Sequence, residues 1–182
     1  ELIINTHYLP QEIDNFLKTK NYGISINVIH EQELLDTGGG ILNATKKFEN
    51  LPFFVLNPDT IWNKNYYEEL KILENSYLEN NKPILLLVDK KISYDKSFKG
   101  DFNFKKNKCI IREATNQYIF TGAQIVNRSI FEDIKEKVFS MNLAWDKMIK
   151  KKLLLGLESN QTFFHVNNFK VYKELNKIKF ID

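Results

Sequence analysis

The most constraining feature of this chain is Ile84-Leu85-Leu86-Leu87-Val88, an unbroken apolar run opened by Pro83 and closed by Asp89. A short continuous run bounded by such residues fits a strand buried on both faces. Weaker strand signals precede it at Leu2 to Asn5, at Ile24, Ile26 and Val28, and at Phe53 to Leu56. Between them the apolar spacing turns helical. Pro10 opens a helix to about Lys20, with Ile13, Phe16 and Leu17 on one face. Thr37-Gly38-Gly39-Gly40 leads into a helical stretch from Ile41 to Phe48, and Tyr66 to Leu78 repeats through Leu70, Leu73 and Tyr77. Strands alternating with helices predict an α/β sheet with mostly parallel pairing.

Beyond Asp89 the texture is mixed. Phe102 to Ile111 reads as a hairpin, and Tyr118 to Val126 as a strand. Ser129 predicts a helix cap, with the helix running to about Val138, and Leu143 to Lys150 a short helix. Phe163 to Val166 reads as a last strand. Asn168 starts a final helix whose Phe169, Tyr172 and Leu175 form a core-facing stripe. The 182 residues are expected to form one domain, spanning 1–182, with a mixed sheet.

Composition narrows the function. The net charge is +3, but Arg112 and Arg128 are the only arginines among 26 basic residues. Arginine is the usual reader of base edges and phosphates, so nucleic acid is not the expected ligand. No stretch is apolar for long enough to span a bilayer, so no membrane span is expected. Cys109 is the single cysteine, which excludes an internal disulfide and a cysteine-cluster zinc site. This suits a reducing compartment, and the expected location is cytoplasmic.

Asp59 is the first candidate for chemistry. It follows the apolar strand directly, in Val55-Leu56-Asn57-Pro58-Asp59. Open α/β sheets bind ligands beyond the carboxyl ends of their strands. A carboxylate there can hold Mg²⁺ against phosphates, because that ion takes one or two carboxylates and keeps several waters. The same tripeptide also reads as a plain turn. The glycine run 38–40 can bring backbone amides close to a ligand, or can simply be a flexible turn before a helix. It matches neither the Walker A pattern nor Gly-x-Gly-x-x-Gly. His165, between Phe164 and Val166, reads first as a satisfied core residue. Asp146, beside Trp145, suits either a sugar hydroxyl or the surface.

In order, these pieces resemble the sugar-1-phosphate nucleotidyltransferases, most of all the N-acetylmuramate-1-phosphate uridylyltransferase and mannose-1-phosphate guanylyltransferase branch. The resemblance is carried by Ile3-Ile4-Asn5-Thr6-His7-Tyr8-Leu9, by His30-Glu31-x-Glu33-Leu34-Leu35-Asp36-Thr37-Gly38-Gly39-Gly40-Ile41, by Asn57-Pro58-Asp59-x-x-Trp62, and by Tyr118-x-Phe120-Thr121-Gly122-Ala123-Gln124. It implies a Rossmann-like nucleotide-diphospho-sugar transferase fold, N-terminally truncated. It also implies transfer of a nucleotide from UTP or GTP to a sugar 1-phosphate, with Mg²⁺ as cofactor and pyrophosphate released. By position, Asp59 would be the catalytic metal ligand, with His165 as a second ligand where the family usually carries aspartate. Glu31, Gly38, Gly39 and Gly40 would face the nucleotide. Asn57, Trp62, Gly122 and Asp146 would face the sugar phosphate.

The family opens with a strand and a Gly-rich, Arg-containing phosphate loop that have no counterpart in these residues. One expectation is therefore an inactive fragment, or a chain completed by a separate polypeptide supplying that segment. The alternative is a non-catalytic nucleotide-sugar binding module. A glycosyltransferase of related fold is a weaker third reading, since Asn57-Pro58-Asp59 offers one carboxylate where an Asp-x-Asp motif is wanted.

Overall fold

A computed structural model of the chain describes residues 1–178. Among them the elements run β1 (Leu2–Thr6), α1 (Pro10–Leu17), β2 (Ile26–His30), α2 (Asp36–Ala44), β3 (Phe53–Leu56), α3 (Tyr66–Asn80), β4 (Ile84–Asp89), β5 (Asn103–Phe104), β6 (Ile110–Ile111), β7 (Tyr118–Val126), α4 (Met141–Lys150), β8 (Leu155–Ser159) and α5 (Phe169–Leu175). They fall into two compact units, Glu1–Leu51 with Arg128–Lys147, and Pro52–Asn127 with Met148 onward.

In the first unit β1 and β2 pair in parallel, Leu2 opposite Ile26 through Thr6 opposite His30. Helix α1 makes the crossover, as a parallel pair requires. Its first turn is set by Pro10, whose ring fixes φ and whose missing N–H costs nothing there. The helix stops at Leu17, and Ile13 and Phe16 stay exposed rather than core-facing. Helix α2 begins at Asp36, not at Ile41, so the glycine run lies inside its first turns. Its carboxyl end is held by Arg128, whose Nη1 donates to Leu42 O at 3.0 Å and to Thr45 Oγ1 at 3.2 Å. That satisfies a carbonyl the helix itself leaves unpaired. A single 3₁₀ turn, Arg128–Phe131, replaces the longer helix expected after Ser129.

The second unit is built on a four-stranded sheet in the order β3-β7-β4-β8. The apolar run 84–88 is β4, and all five residues have no exposed surface. It runs parallel to β8 and antiparallel to β7, and β7 is also antiparallel to β3. The sheet is mixed, as expected, but it is not mostly parallel: β7 enters between β3 and β4 and makes two antiparallel pairings, leaving β4 with β8 as its one parallel pairing. Strand β8 carried no clear periodicity of its own. The segment 163–166 makes only isolated bridges, to Thr60 and Ser93. Strand β3 pairs with β7 alone at the edge of the sheet, and its Phe54 and Leu56 are exposed. Helix α3 lays Tyr66, Leu73 and Tyr77 on Ile84, Leu86, Ala123, Ile125 and Leu155. The short β5–β6 pairing supplies the expected hairpin.

Helix α5 starts as expected. The Asn168 side chain accepts from Val171 N at 2.9 Å, which caps the first turn. The buried stripe is different, however. Val171 and Leu175 face inward, while Phe169 is 68% exposed and Tyr172 48%. The two exposed rings stack on each other, and Lys173 lies over Phe169. Leu86→Ala is expected to cost about 2–5 kcal/mol of unfolding free energy, since it empties a site with no route to collapse. Phe169→Ala should change it by about 0.5 kcal/mol or less. Urea unfolding of both variants checks the pair.

Candidate active site

The second unit gathers five of the residues singled out from sequence, and an irregularity in β7 is the reason. Leu85 pairs with Gln124, but Leu87 pairs with Phe120, so β7 carries extra residues opposite Leu86. This is a β-bulge, a feature that bends a strand and re-aims its groups. Thr121 Oγ1 donates to Leu86 O at 2.8 Å, satisfying the carbonyl that the bulge would leave unpaired. Gly122 takes φ of +94°, a conformation favouring glycine. Its carbonyl accepts from Asn57 N at 2.9 Å, and Thr60 Oγ1 donates to Thr121 O at 2.7 Å. The bulge thus fixes the loop leaving β3. Trp62 Nε1 closes that loop by donating to Asn57 O at 3.0 Å, and the indole packs edge-on against Tyr66.

The same loop is pinned from its other side. Val166 N donates to Asp59 O at 2.7 Å, and Ile61 N donates to Phe164 O at 2.9 Å. These bonds bring residues over a hundred positions apart into one backbone bridge. They set His165 Nε2 3.0 Å from Asp59 Oδ2. The His165 hydrogen bond, more than its charge, holds the Asp59 carboxyl below the usual carboxylate range, against the opposing effect of burial. The Asp59 side chain is nevertheless 45% exposed and His165 20%.

These groups fit Mg²⁺ in one specific way. Among the described residues no group of three or more His, Cys, Asp or Glu side chains could hold a metal ion. A half-exposed single carboxylate suits an ion that keeps its waters and is carried in on phosphate oxygens. Asp59 is the residue that would hold it.

The first unit gathers a second set. Glu31 is buried; its Oε1 accepts from Asn5 Nδ2 at 2.6 Å and its Oε2 from Leu35 N at 3.4 Å. Asn5 Nδ2 also donates to Gly40 O at 2.8 Å. A Cβ on Gly40 would stand 2.9 Å from Glu31 Oε1. The amides of Gly38 and Gly39 both donate to Phe139 O, at 2.9 and 3.0 Å. Those amides are the orphan donors of a helix start, and here the chain itself uses them. A Cβ on Gly38 would overlap the Phe139 ring, and one on Gly39 the Lys137 carbonyl. The glycine run is therefore required for packing in this unit. Asp146 lies on α4 in the first unit and is partly buried.

Sequence reasoning missed several contributors. Thr60 is buried and ties the β3 loop to the bulge. Phe98 and Phe163 flank the His165 ring, with centroids 5.6 and 5.7 Å away. Asp95 lies close enough for His165 to lower its carboxyl, after the stronger effects of Ser97 and Asn167. No local pattern marks these residues, because each matters only through a partner distant in sequence.

This arrangement can be compared with known proteins. No protein-family profile matches the chain. A D-glycero-alpha-D-manno-heptose 1-phosphate guanylyltransferase of Aneurinibacillus thermoaerophilus is 23% identical over 183 aligned positions, covering 97% of this chain and 77% of that protein. The crystal structure of HddC from Yersinia pseudotuberculosis complexed with GMP-PN aligns with a TM-score of 0.72 at 24% identity, over 97% of this chain and 78% of that one. A UDP-glucose pyrophosphorylase complexed with UDP-glucose aligns with a TM-score of 0.74 at 13% identity, over 97% and 80% of the two chains. The fold is that of the sugar-1-phosphate nucleotidyltransferases. The resemblance drawn from the motifs is borne out at the level of the fold. Among the described residues, no helix is long and apolar enough to cross a membrane.

Two glycine variants test the packing. In a helix, alanine normally gains about 1 kcal/mol over glycine. Gly39→Ala should instead destabilise by about 1–3 kcal/mol, because the added carbon meets a backbone carbonyl. Gly122→Ala should cost a similar amount, about 1–3 kcal/mol, from φ strain and contact with Asn57. Thermal or denaturant unfolding reads both.

Proposed function

We propose that the chain is a sugar-1-phosphate nucleotidyltransferase of the class that couples a nucleoside triphosphate to a sugar 1-phosphate. The observation that carries this is Asp59, held at the carboxyl end of β3 between the β7 bulge and the 164–166 segment. In the reaction a sugar phosphate oxygen attacks the α-phosphorus of the triphosphate. The α–β bridging bond breaks and pyrophosphate leaves with its electron pair. Bound Mg²⁺ would neutralise phosphate charge at this site. The protein's share is positioning and electrostatics. Asp59 would hold the ion. Asn57, Trp62 and Gly122 share its loop and bulge, and they would border the sugar phosphate. The name of the Aneurinibacillus relative makes GTP the first triphosphate to try, with UTP second.

A second reading is nucleotide-sugar binding without turnover. The relatives are longer than this chain, which spans 77–78% of the first two compared. A segment bearing a Gly-rich phosphate loop, fused or added as a separate chain, would restore turnover in that case.

The expected result is pyrophosphate release with Mg²⁺, one of GTP or UTP, and one of a panel of sugar 1-phosphates. Asp59→Ala should lower that rate about 100-fold or more and weaken Mg²⁺-dependent nucleotide binding about tenfold or more. Unchanged nucleotide binding in Asp59→Ala would remove the site assignment. Binding without release, cured by the added segment, would select the second reading.

A further inference from the structure

The Asp59–His165 pair leaves a question that its distance alone does not answer, namely which of the two would touch the metal. Both were metal candidates from sequence, and the geometry treats them differently. An ionised carboxylate only accepts hydrogen bonds, so the proton in the 3.0 Å contact belongs to His165 Nε2. In the neutral ring the free lone pair is then on Nδ1. That atom is buried and, among the described residues, has no hydrogen-bond partner. For His165 to offer a lone pair from Nε2, its proton would have to move to Nδ1. This would bury an unsatisfied N–H and break the bond to Asp59, both unfavourable.

The ring is also held in place. Phe98 meets it edge-on and Phe163 tilts against it. The backbone on either side is tied to residues 59–61, with Val166 N on Asp59 O and Ile61 N on Phe164 O. Thr60 and His165 face each other across that bridge. Every one of these contacts fixes the direction of the Nε2–H bond.

We propose that His165 is a positioning residue for Asp59 and is not itself a metal ligand. Its Nε2–H holds one carboxylate oxygen and so orients the group for the ion. Hydrogen bonds to ligating carboxylates are the usual means of setting their direction. The role of the ion rests on the nucleotidyltransferase reading. The hydrogen bond does not.

The test uses the whole chain, labelled with ¹⁵N. Long-range proton–nitrogen correlation spectra identify His165 by its loss in His165→Gln and separate it from His7 and His30. The expected result is the Nε2–H tautomer in metal-free protein, retained when Mg²⁺ is added. An Nδ1–H tautomer, or a switch to it on adding Mg²⁺, would overturn the proposal. Mn²⁺ with GTP or UTP serves as the second probe. Pulsed electron paramagnetic resonance should show no directly coordinated imidazole nitrogen. His165→Phe should weaken Mn²⁺–nucleotide binding about tenfold, and His165→Gln, which keeps an N–H donor, should recover most of that loss. A direct nitrogen coupling that disappears in His165→Phe would make His165 a ligand. If Mn²⁺ with nucleotide does not bind at all, the functional reading fails by itself, and the tautomer still decides whether His165 positions Asp59.

Discussion

The candidate site depends on one irregularity, the bulge in β7 opposite Leu86. The β3–β7 register itself continues into Asn57 N donating to Gly122 O, while the bulge lies on the β4 side and leaves Thr121 O to accept from Thr60 Oγ1. The bulge also turns Thr121 Oγ1 back to satisfy Leu86 O in the buried centre of the sheet. The loop carrying Asn57, Asp59 and Trp62 is thereby tied to the buried centre of the sheet. A site built this way can hold a carboxylate in one direction without a cage of ligands.

The second support comes from the far end of the chain. Residues 164–166 form no regular strand, yet they bond to the backbone on both sides of Thr60, at Asp59 O and Ile61 N. The cost of bringing such distant segments together is offset by the core behind them, where Val88, Ile119 and Phe163 are buried together against Phe98. Packing and chemistry are thus linked. The aromatic cluster that buries Phe163 also flanks the ring of His165, and that ring directs Asp59.

The glycine run shows a different economy. Three glycines before a helix suggest a ligand-binding loop, and in the first unit they are part of the helix. Their missing side chains make room for the Phe139 ring, for the Lys137 carbonyl and for the Glu31 carboxylate. Close backbone approach is the common requirement, whether the approaching group is a ligand or the protein itself. A glycine motif read from sequence locates such an approach without saying what approaches.

The sequence by itself determined the α/β class, the buried β4, the cap at Asn168, and the placement of Asp59 just past the end of β3. These follow from local rules: apolar runs, proline and asparagine chemistry, and the period of side-chain direction. Only the tertiary structure decided that β7 runs antiparallel in the middle of the second sheet, that β3 is an edge strand, and that α5 turns Phe169 and Tyr172 outward. It alone brought His165 to Asp59 and gave Thr60 and Phe98 a part in the site. The physical reason is that pairing partners and buried faces are set by which distant segment arrives alongside, and no local pattern of residues encodes that arrival.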